Sequence, residues 1–299
     1  MFKFDFVAPT SLDDALAELR ERGPGGKLLA GGTDLLLQLK AHLLRPAYVV
    51  DLGRIPELSR LDYSTGAGLW IGSMVRLRTI QQSALVKEWS PMIGDGAKLV
   101  GSLQIRNLAT IGGNLCNAAP SADVAPPLMA AGAIASIAGQ GGPRTVPLDS
   151  FFVGPRRTVL QEGEILVGVR VPDAPARSGG QYLRHTPRQE MDIAVVGVAS
   201  HVTVDDDGCL GARIVLGAVA PTPIRASLAE SSLIGKPITA ESIDRAAKLA
   251  ADEARPIDDL RGSADFRRHL VEVLCRRTLH SAWRSALNQS ESLNGGTNA

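Results

Sequence analysis

Phe2, Phe4 and Phe6 alternate with polar residues at the start of the chain, and that period of two predicts a short, half-buried strand. Pro9, Thr10 and Ser11 supply a cap, after which Leu12, Ala15, Leu16 and Leu19 recur at helical spacing until Gly23 ends the run. Lys27 to Ala30 reads as a strand, Leu35 to Leu39 as the start of a helix and Tyr48 to Leu52 as a further strand. These elements make a β-α-β-α-β module, residues 1–54.

A second module, residues 55–175, opens on a strand at Leu69 to Gly72. Apolar spacing predicts helices at Leu77 to Leu85 and Pro91 to Val100, then another at Ala122 to Ala133 that Pro126 and Pro127 must delay or kink. Ile134 to Ala138, Thr145 to Leu148 and Ile165 to Val171 read as strands. Pro172 to Gly180, PDAPARSGG, is a linker. The third module, residues 176–287, carries strands at Gln181 to Arg184, Ile193 to Val204 and Ala212 to Val219, the last two joined by the turn DDDG. Helices at Ala240 to Ala254 and Asp265 to Leu287 complete it, the latter with an apolar stripe of Phe266, Leu270, Val273, Leu274, Thr278 and Trp283. Residues 288–299, NQSESLNGGTNA, are polar and expected to be disordered.

Charge narrows the possibilities. Lys and Arg nearly balance Asp and Glu, leaving a net +1, which gives no reason to expect a nucleic-acid partner. The three cysteines, Cys116, Cys209 and Cys275, are too few and too far apart for a disulfide framework or a metal cluster. No apolar run approaches membrane-spanning length and the start has no secretory pattern, so the expected location is the cytoplasm.

Two stretches stand apart from these elements: Leu28 to Leu36, LLAGGTDLL, and Thr110 to Asp123, TIGGNLCNAAPSAD. Each holds a Gly-Gly pair beside short polar residues. Glycine reaches positive φ without steric cost, so successive N–H groups can turn inward as an anion-binding nest, with Thr33, Asn114 and Ser121 as further donors. One Gly-Gly pair is an ordinary turn, but two in one domain suit a ligand with adjoining phosphates. Neither has the G-x-G-x-x-G spacing of the doubly wound fold or a following G-K-[ST]. Arg106 suits either phosphate or the carbonyls of its own loop, and Cys116 reads as a small buried residue beneath the loop.

AGGTDLL followed by QIRNLATIGGNLCNAAPSAD resembles the FAD-binding subunit of molybdenum hydroxylases, the family of xanthine, aldehyde, carbon monoxide and nicotine dehydrogenases, and the likeness runs over nearly the whole chain. It implies an α+β fold: a two-lobed FAD-binding domain of the PCMH type, then a C-terminal α+β domain with a small antiparallel sheet and helices. It implies that Leu28, Leu29, Ala30, Gly31, Gly32, Thr33, Asp34 and Leu35 hold one side of the FAD pyrophosphate, and Thr110, Ile111, Gly112, Gly113 and Asn114 the other. Val100 joins the cofactor set, Asp123 matches an acid at the ribose or adenosine, and Leu166 a position facing a ring. Arg184 stands where the family usually has Lys, Asp192 matches a family acid, and Ile193 stands where a flavin-shielding residue is often Tyr. The bare patterns offer plainer roles: Asp123 as a helix-start carboxylate, Leu166 as a strand core residue, and Arg267, Arg268, Arg276, Arg277 and Arg284 as a solvated face or a partner contact.

The implied mechanism is electron transfer with no acid, base or nucleophile from this chain. The resemblance implies a large partner with a molybdenum-pterin cofactor and a small partner with 2Fe-2S clusters, in a dimer of heterotrimers. A free-standing flavin reductase or oxidase, and a non-catalytic nucleotide-binding module, remain open from the residues alone.

Overall fold

The computed structural model describes residues 2–188 and 190–294. In the first lobe β1 (Asp5–Val7), β2 (Gly26–Leu29) and β3 (Tyr48–Asp51) form a parallel sheet in the order β1-β3-β2, connected through α1 (Leu12–Arg22) and α2 (Leu35–Lys40). Ser11 caps α1 by accepting from the Asp14 N–H, and Gly23 stops it at φ +65°. At the N-terminus Phe2 and Phe4 are half-buried, but Phe6 lies within β1 and is exposed, so the alternation there marks no common buried face.

The second lobe is built on an antiparallel sheet ordered β4-β5-β10-β6-β7: β4 (Leu61–Ser64), β5 (Gly68–Gly72), β6 (Ile134–Ala138), β7 (Arg144–Pro147) and β10 (Ile165–Val171). Between β7 and β10 a small hairpin pairs β8 (Phe152–Gly154) with β9 (Arg157–Thr158). Six helices fill the stretch between β5 and β6: α3 (Leu77–Gln82), α4 (Ala84–Trp89), α5 (Pro91–Leu99), α6 (Leu103–Arg106), α7 (Ile111–Asn117) and α8 (Ala125–Ala130). The single helix expected over Leu77 to Leu85 is broken at Ser83, whose hydroxyl caps a new helix by accepting from Val86. Pro126 and Pro127 sit in the first turn of α8, where a missing N–H costs no helical bond, so that helix starts late.

The third module lays an antiparallel sheet, β11 (Ser178–His185), β12 (Val196–Val204), β13 (Cys209–Gly217) and β14 (Ile224–Arg225), against α9 (Ser227–Leu233) and α11 (Ala264–Asn294), and α10 (Ala240–Glu253) packs on those two helices. Both faces of the sheet are covered. Val196, Val198 and Val202 pack into the core shared with α11, while Ala199, Tyr182 and Val215 join the core of the second lobe. That is why β12 is buried almost throughout and reads as one β-branched run rather than an alternation. The helix α11 continues through Asn294, beyond the expected end at Leu287, and residues 295–299 lie outside the described ones.

The two leading lobes share an apolar floor. Tyr48, Val50 and Leu52 of the first lobe cluster with Ile55, Leu58 and Ile165, and Met74 and Val167 pack against them.

Candidate functional site

The loop between β2 and α2 has one residue with a left-handed backbone, Gly32 at φ +73°. Gly31 does a different job. A Cβ there would lie 2.1 Å from the carbonyl oxygen of Leu108 and 2.9 Å from the Cα of Ala109, so its missing side chain lets the loop press against the second lobe's backbone. The N–H groups of Gly31, Gly32, Thr33 and Asp34 donate to no acceptor among the described residues. Four consecutive uncommitted amides are donors available to an anion.

The second Gly-Gly pair departs from the expectation of a nest. Residues 111–117 are helical, and neither Gly112 nor Gly113 has positive φ. Thr110 is the cap, accepting from the Gly113 N–H through its hydroxyl at 3.0 Å. The neighbouring amides are likewise spent: Ile111 on Val75, Gly112 on Ser73 and Asn114 on Thr110. Gly112 is required by packing, because a Cβ would meet the backbone oxygen of Ser73 at 2.7 Å. The helix α7 therefore supplies a smooth wall and side chains, and the first loop supplies the free donors.

The two loops converge. Ala30 faces Gly113, and the Asn117 amide donates to the Asp34 carboxylate at 3.4 Å. Between them opens a cleft of about 800 Å³, of a size that holds a large organic ligand. Leu28, Ala30, Gly31, Gly32, Thr33, Asp34, Leu35, Val100, Thr110, Gly112, Gly113, Asn114 and Leu166 all line it. Leu29 and the fully buried Ile111 lie behind the wall. Two buried polar atoms of residues on this wall, the Ser73 hydroxyl and the Asn114 side-chain oxygen, have no protein partner. Unpaired buried oxygens and a row of unpaired amides are what a polar cofactor would satisfy.

Cys116 is not beneath the loop: it is exposed on α7 and lines the cleft. Arg106 is buried and takes the structural role, donating to the Val100 carbonyl at 3.1 Å.

The comparisons bear on what such a cleft holds. Residues 2–174 match the family model described as the FAD binding domain in molybdopterin dehydrogenase, and residues 181–282 the CO dehydrogenase flavoprotein C-terminal domain. The chain belongs to this family of FAD-binding subunits. It is 35% identical to the carbon monoxide dehydrogenase medium chain of Hydrogenophaga pseudoflava over 94% of this chain and 97% of that one. Its identity to the xanthine dehydrogenase FAD-binding subunit of Escherichia coli O157:H7 is 32%, covering 93% and 97%. The solved carbon monoxide dehydrogenase from Hydrogenophaga pseudoflava superposes with a TM-score of 0.90 at 35% identity, covering 95% of this chain and 98% of that one.

Within this FAD-binding fold the remaining expected residues lie away from the lining of the cleft. Asp123, only 6% exposed, accepts from the Tyr182 hydroxyl at 2.9 Å and from Arg184 at 2.5 Å, so it ties the second lobe to the C-terminal sheet. Burial pushes its carboxyl up, against the opposing pull of Arg184 and Tyr182, and pushes the Tyr182 hydroxyl well up. Asp192 is held by the Arg188 backbone and side chain, which keep its carboxyl below the usual range, and Ile193 is exposed beside it. Of the arginines on α11, Arg267 belongs neither to a solvated face nor to an exposed contact surface. It is buried and donates to the Val195 and Ala218 carbonyls and to Asp259.

Sequence reasoning missed Lys27, Asn117, Arg156 and the turn Gln161 to Glu164, all of which line the cleft. Arg156 stands at the tip of a hairpin whose short strands carry no alternation long enough to announce them.

Proposed function

We propose that this chain is the FAD-carrying electron-transfer subunit of a molybdenum hydroxylase. In that assembly it takes electrons from 2Fe-2S centres on a small partner, which are fed from a molybdenum-pterin site on a large partner, and passes them to an external acceptor. The observation that carries the reading is the row of uncommitted amides at Gly31 to Asp34, set in a cleft of cofactor size between two loops of a family FAD domain. FAD, when bound, supplies redox chemistry that side chains lack.

The chain's own task is then to hold and orient. The Gly31 to Asp34 amides and the Thr33 hydroxyl take the pyrophosphate, while Thr110, Gly112, Gly113 and Asn114 form the facing wall. Leu28, Leu35, Val100 and Leu166 give apolar contact to the rings. Asp123 and Arg184, with Tyr182, fix the C-terminal module against the lobe that carries the cleft. Near-complete coverage of relatives named as medium chains and FAD-binding subunits supports the partners, and we assign the assembly as a dimer of heterotrimers in the cytoplasm.

Purification of the chain, alone and co-expressed with candidate large and small subunits, tests this. The expected result is a flavin spectrum, release of equimolar FAD on acid treatment, and iron-sulfur and molybdenum signals only when the partners co-purify. A chain that releases no flavin in either preparation overturns the reading.

A further inference from the structure

Arg156 lines the cleft but belongs to neither Gly-Gly loop. It sits at the tip of the β8–β9 hairpin with φ +58°, where a side chain crowds the backbone. Its N–H donates at 2.9 Å to the carbonyl of Ala118, the residue that ends α7 and is itself left-handed at φ +46°. The hairpin is thereby pinned to the end of α7, and the guanidinium has no acceptor among the described residues. Its neighbour in the same segment, Arg144, is committed to Glu164 through two bonds of 2.7 Å.

The first loop runs alongside α7, with Ala30 at Gly113 near the helix start and Asp34 at Asn117 near its end. Arg156, fixed at Ala118, therefore stands at the Thr33 and Asp34 end of the free amides. Those amides offer only partial charges, and the first turn of α7 has none to spare. Among the described residues lining the cleft the whole positive charges are Lys27 and Arg156, against Asp34, Glu162 and Glu164. Lys27 lies four residues before Gly31 in sequence, about 13 Å away along an extended strand. A doubly charged pyrophosphate on the amides would be poorly neutralised without a nearer cation.

We infer that Arg156 is the counter-ion of the cofactor's pyrophosphate, its planar fork pairing with two phosphate oxygens. The inference rests on the FAD reading above and adds a residue outside the Gly-Gly loops to it. The left-handed backbone at this position is then held in place by the hairpin and the Ala118 bond so that the fork faces the cradle.

The test titrates the full-length apo chain with FAD and, separately, with riboflavin, which has the ring and no phosphate, following flavin fluorescence. Arg156→Gly suits the left-handed backbone, so the hairpin keeps its fold and the apo chain melts no lower than the wild type. FAD is expected to bind R156G about tenfold more weakly at low salt, with riboflavin affinity unchanged and a shallower salt dependence for FAD. R156K, a point charge without the fork, falls between. Equal FAD affinity in R156G and wild type, or equal losses for FAD and riboflavin, overturns the assignment while leaving FAD binding itself intact. A wild-type chain that binds no FAD overturns the cofactor reading and this one with it.

Discussion

At Gly31 the first lobe presses on the backbone of the second, and a single methyl group tests whether that contact builds the site. In Gly31→Ala the new Cβ would lie 2.1 Å from the Leu108 oxygen, 2.7 Å from its carbonyl carbon and 2.9 Å from the Ala109 Cα. All three are backbone atoms, so no side chain can rotate away; the loop must retreat by about 1 Å to reach ordinary contact distance. Overpacking of this kind costs about 1–3 kcal/mol. At roughly 2 °C per kcal/mol for a chain of this size, the apo protein should melt about 2–6 °C lower. The loss in binding should be larger. If the amides at Gly31 to Asp34 hold the pyrophosphate as proposed, each displaced one loses a charge-assisted bond of about 1.5–3 kcal/mol, so FAD affinity should fall at least about tenfold for every bond broken. Gly66→Ala is the control: its φ of +79° strains an alanine, but nothing lies within 4 Å of the added carbon. It should lose about 1 kcal/mol of stability and no FAD affinity. Differential scanning fluorimetry and flavin titration measure both quantities. If G31A bound FAD as tightly as the wild type, the approach of the lobes would have no part in the cradle.

Three further substitutions probe other parts of the structure. Asp123→Asn leaves the Arg184 side chain, 4% exposed, without its counter-charge and should cost about 3–5 kcal/mol in urea unfolding; a cost below 1 kcal/mol would mean the pair is not buried in solution. Ser73→Ala removes a buried hydroxyl that has no protein partner, so the apo chain should be unchanged or up to about 1 kcal/mol more stable, and a clear loss would reveal a hidden intramolecular bond. Glu164 is held below its usual 4.5 chiefly by its bond to Arg144, so its contribution is complete above about pH 4.5 and is lost as pH falls through the lower folded value. Glu164→Gln should therefore destabilise at pH 7, and the gap to wild type should close on acidification; a gap independent of pH would refute the linkage.

The sequence carries the first lobe clearly because each of its elements is announced locally: Ser11 and Gly23 bracket a helix, and Lys27 to Ala30 and Tyr48 to Leu52 are short apolar runs, too short for helices of ordinary length, that form strands. The helix at Ile111–Asn117 was hidden because two adjacent glycines signal a turn, and sequence cannot separate a glycine needed for φ from one needed for space. Gly112 is the second kind, made necessary by Ser73, thirty-nine residues earlier. Cys116 followed the same error, since a loop residue over a core and a helical residue facing a cleft look alike until the helix is known. Arg267 was hidden for a different reason. Its partners are two backbone carbonyls and Asp259, contacts that leave no trace in an amphipathic pattern.

The two Gly-Gly pairs thus divide their work unequally. Gly32 turns the chain, Gly31 removes the side chain that would keep the two lobes apart, and Gly112 removes one that would push α7 off Ser73 within the second lobe. Beneath them the lobes already share one apolar cluster through Tyr48, Val50, Ile165 and Val167, so the floor of the cleft is fixed before any ligand arrives. A preformed floor means that binding need not be paid for by docking one lobe on the other. The same rigidity explains why the cradle depends on backbone: a side chain can adjust to a displaced ligand, but four amides set by the packing of Gly31 on Leu108 cannot. Specificity for an anion at that point is therefore a property of how the lobes pack, and substitutions at their contact should affect binding more than substitutions of the polar side chains around it.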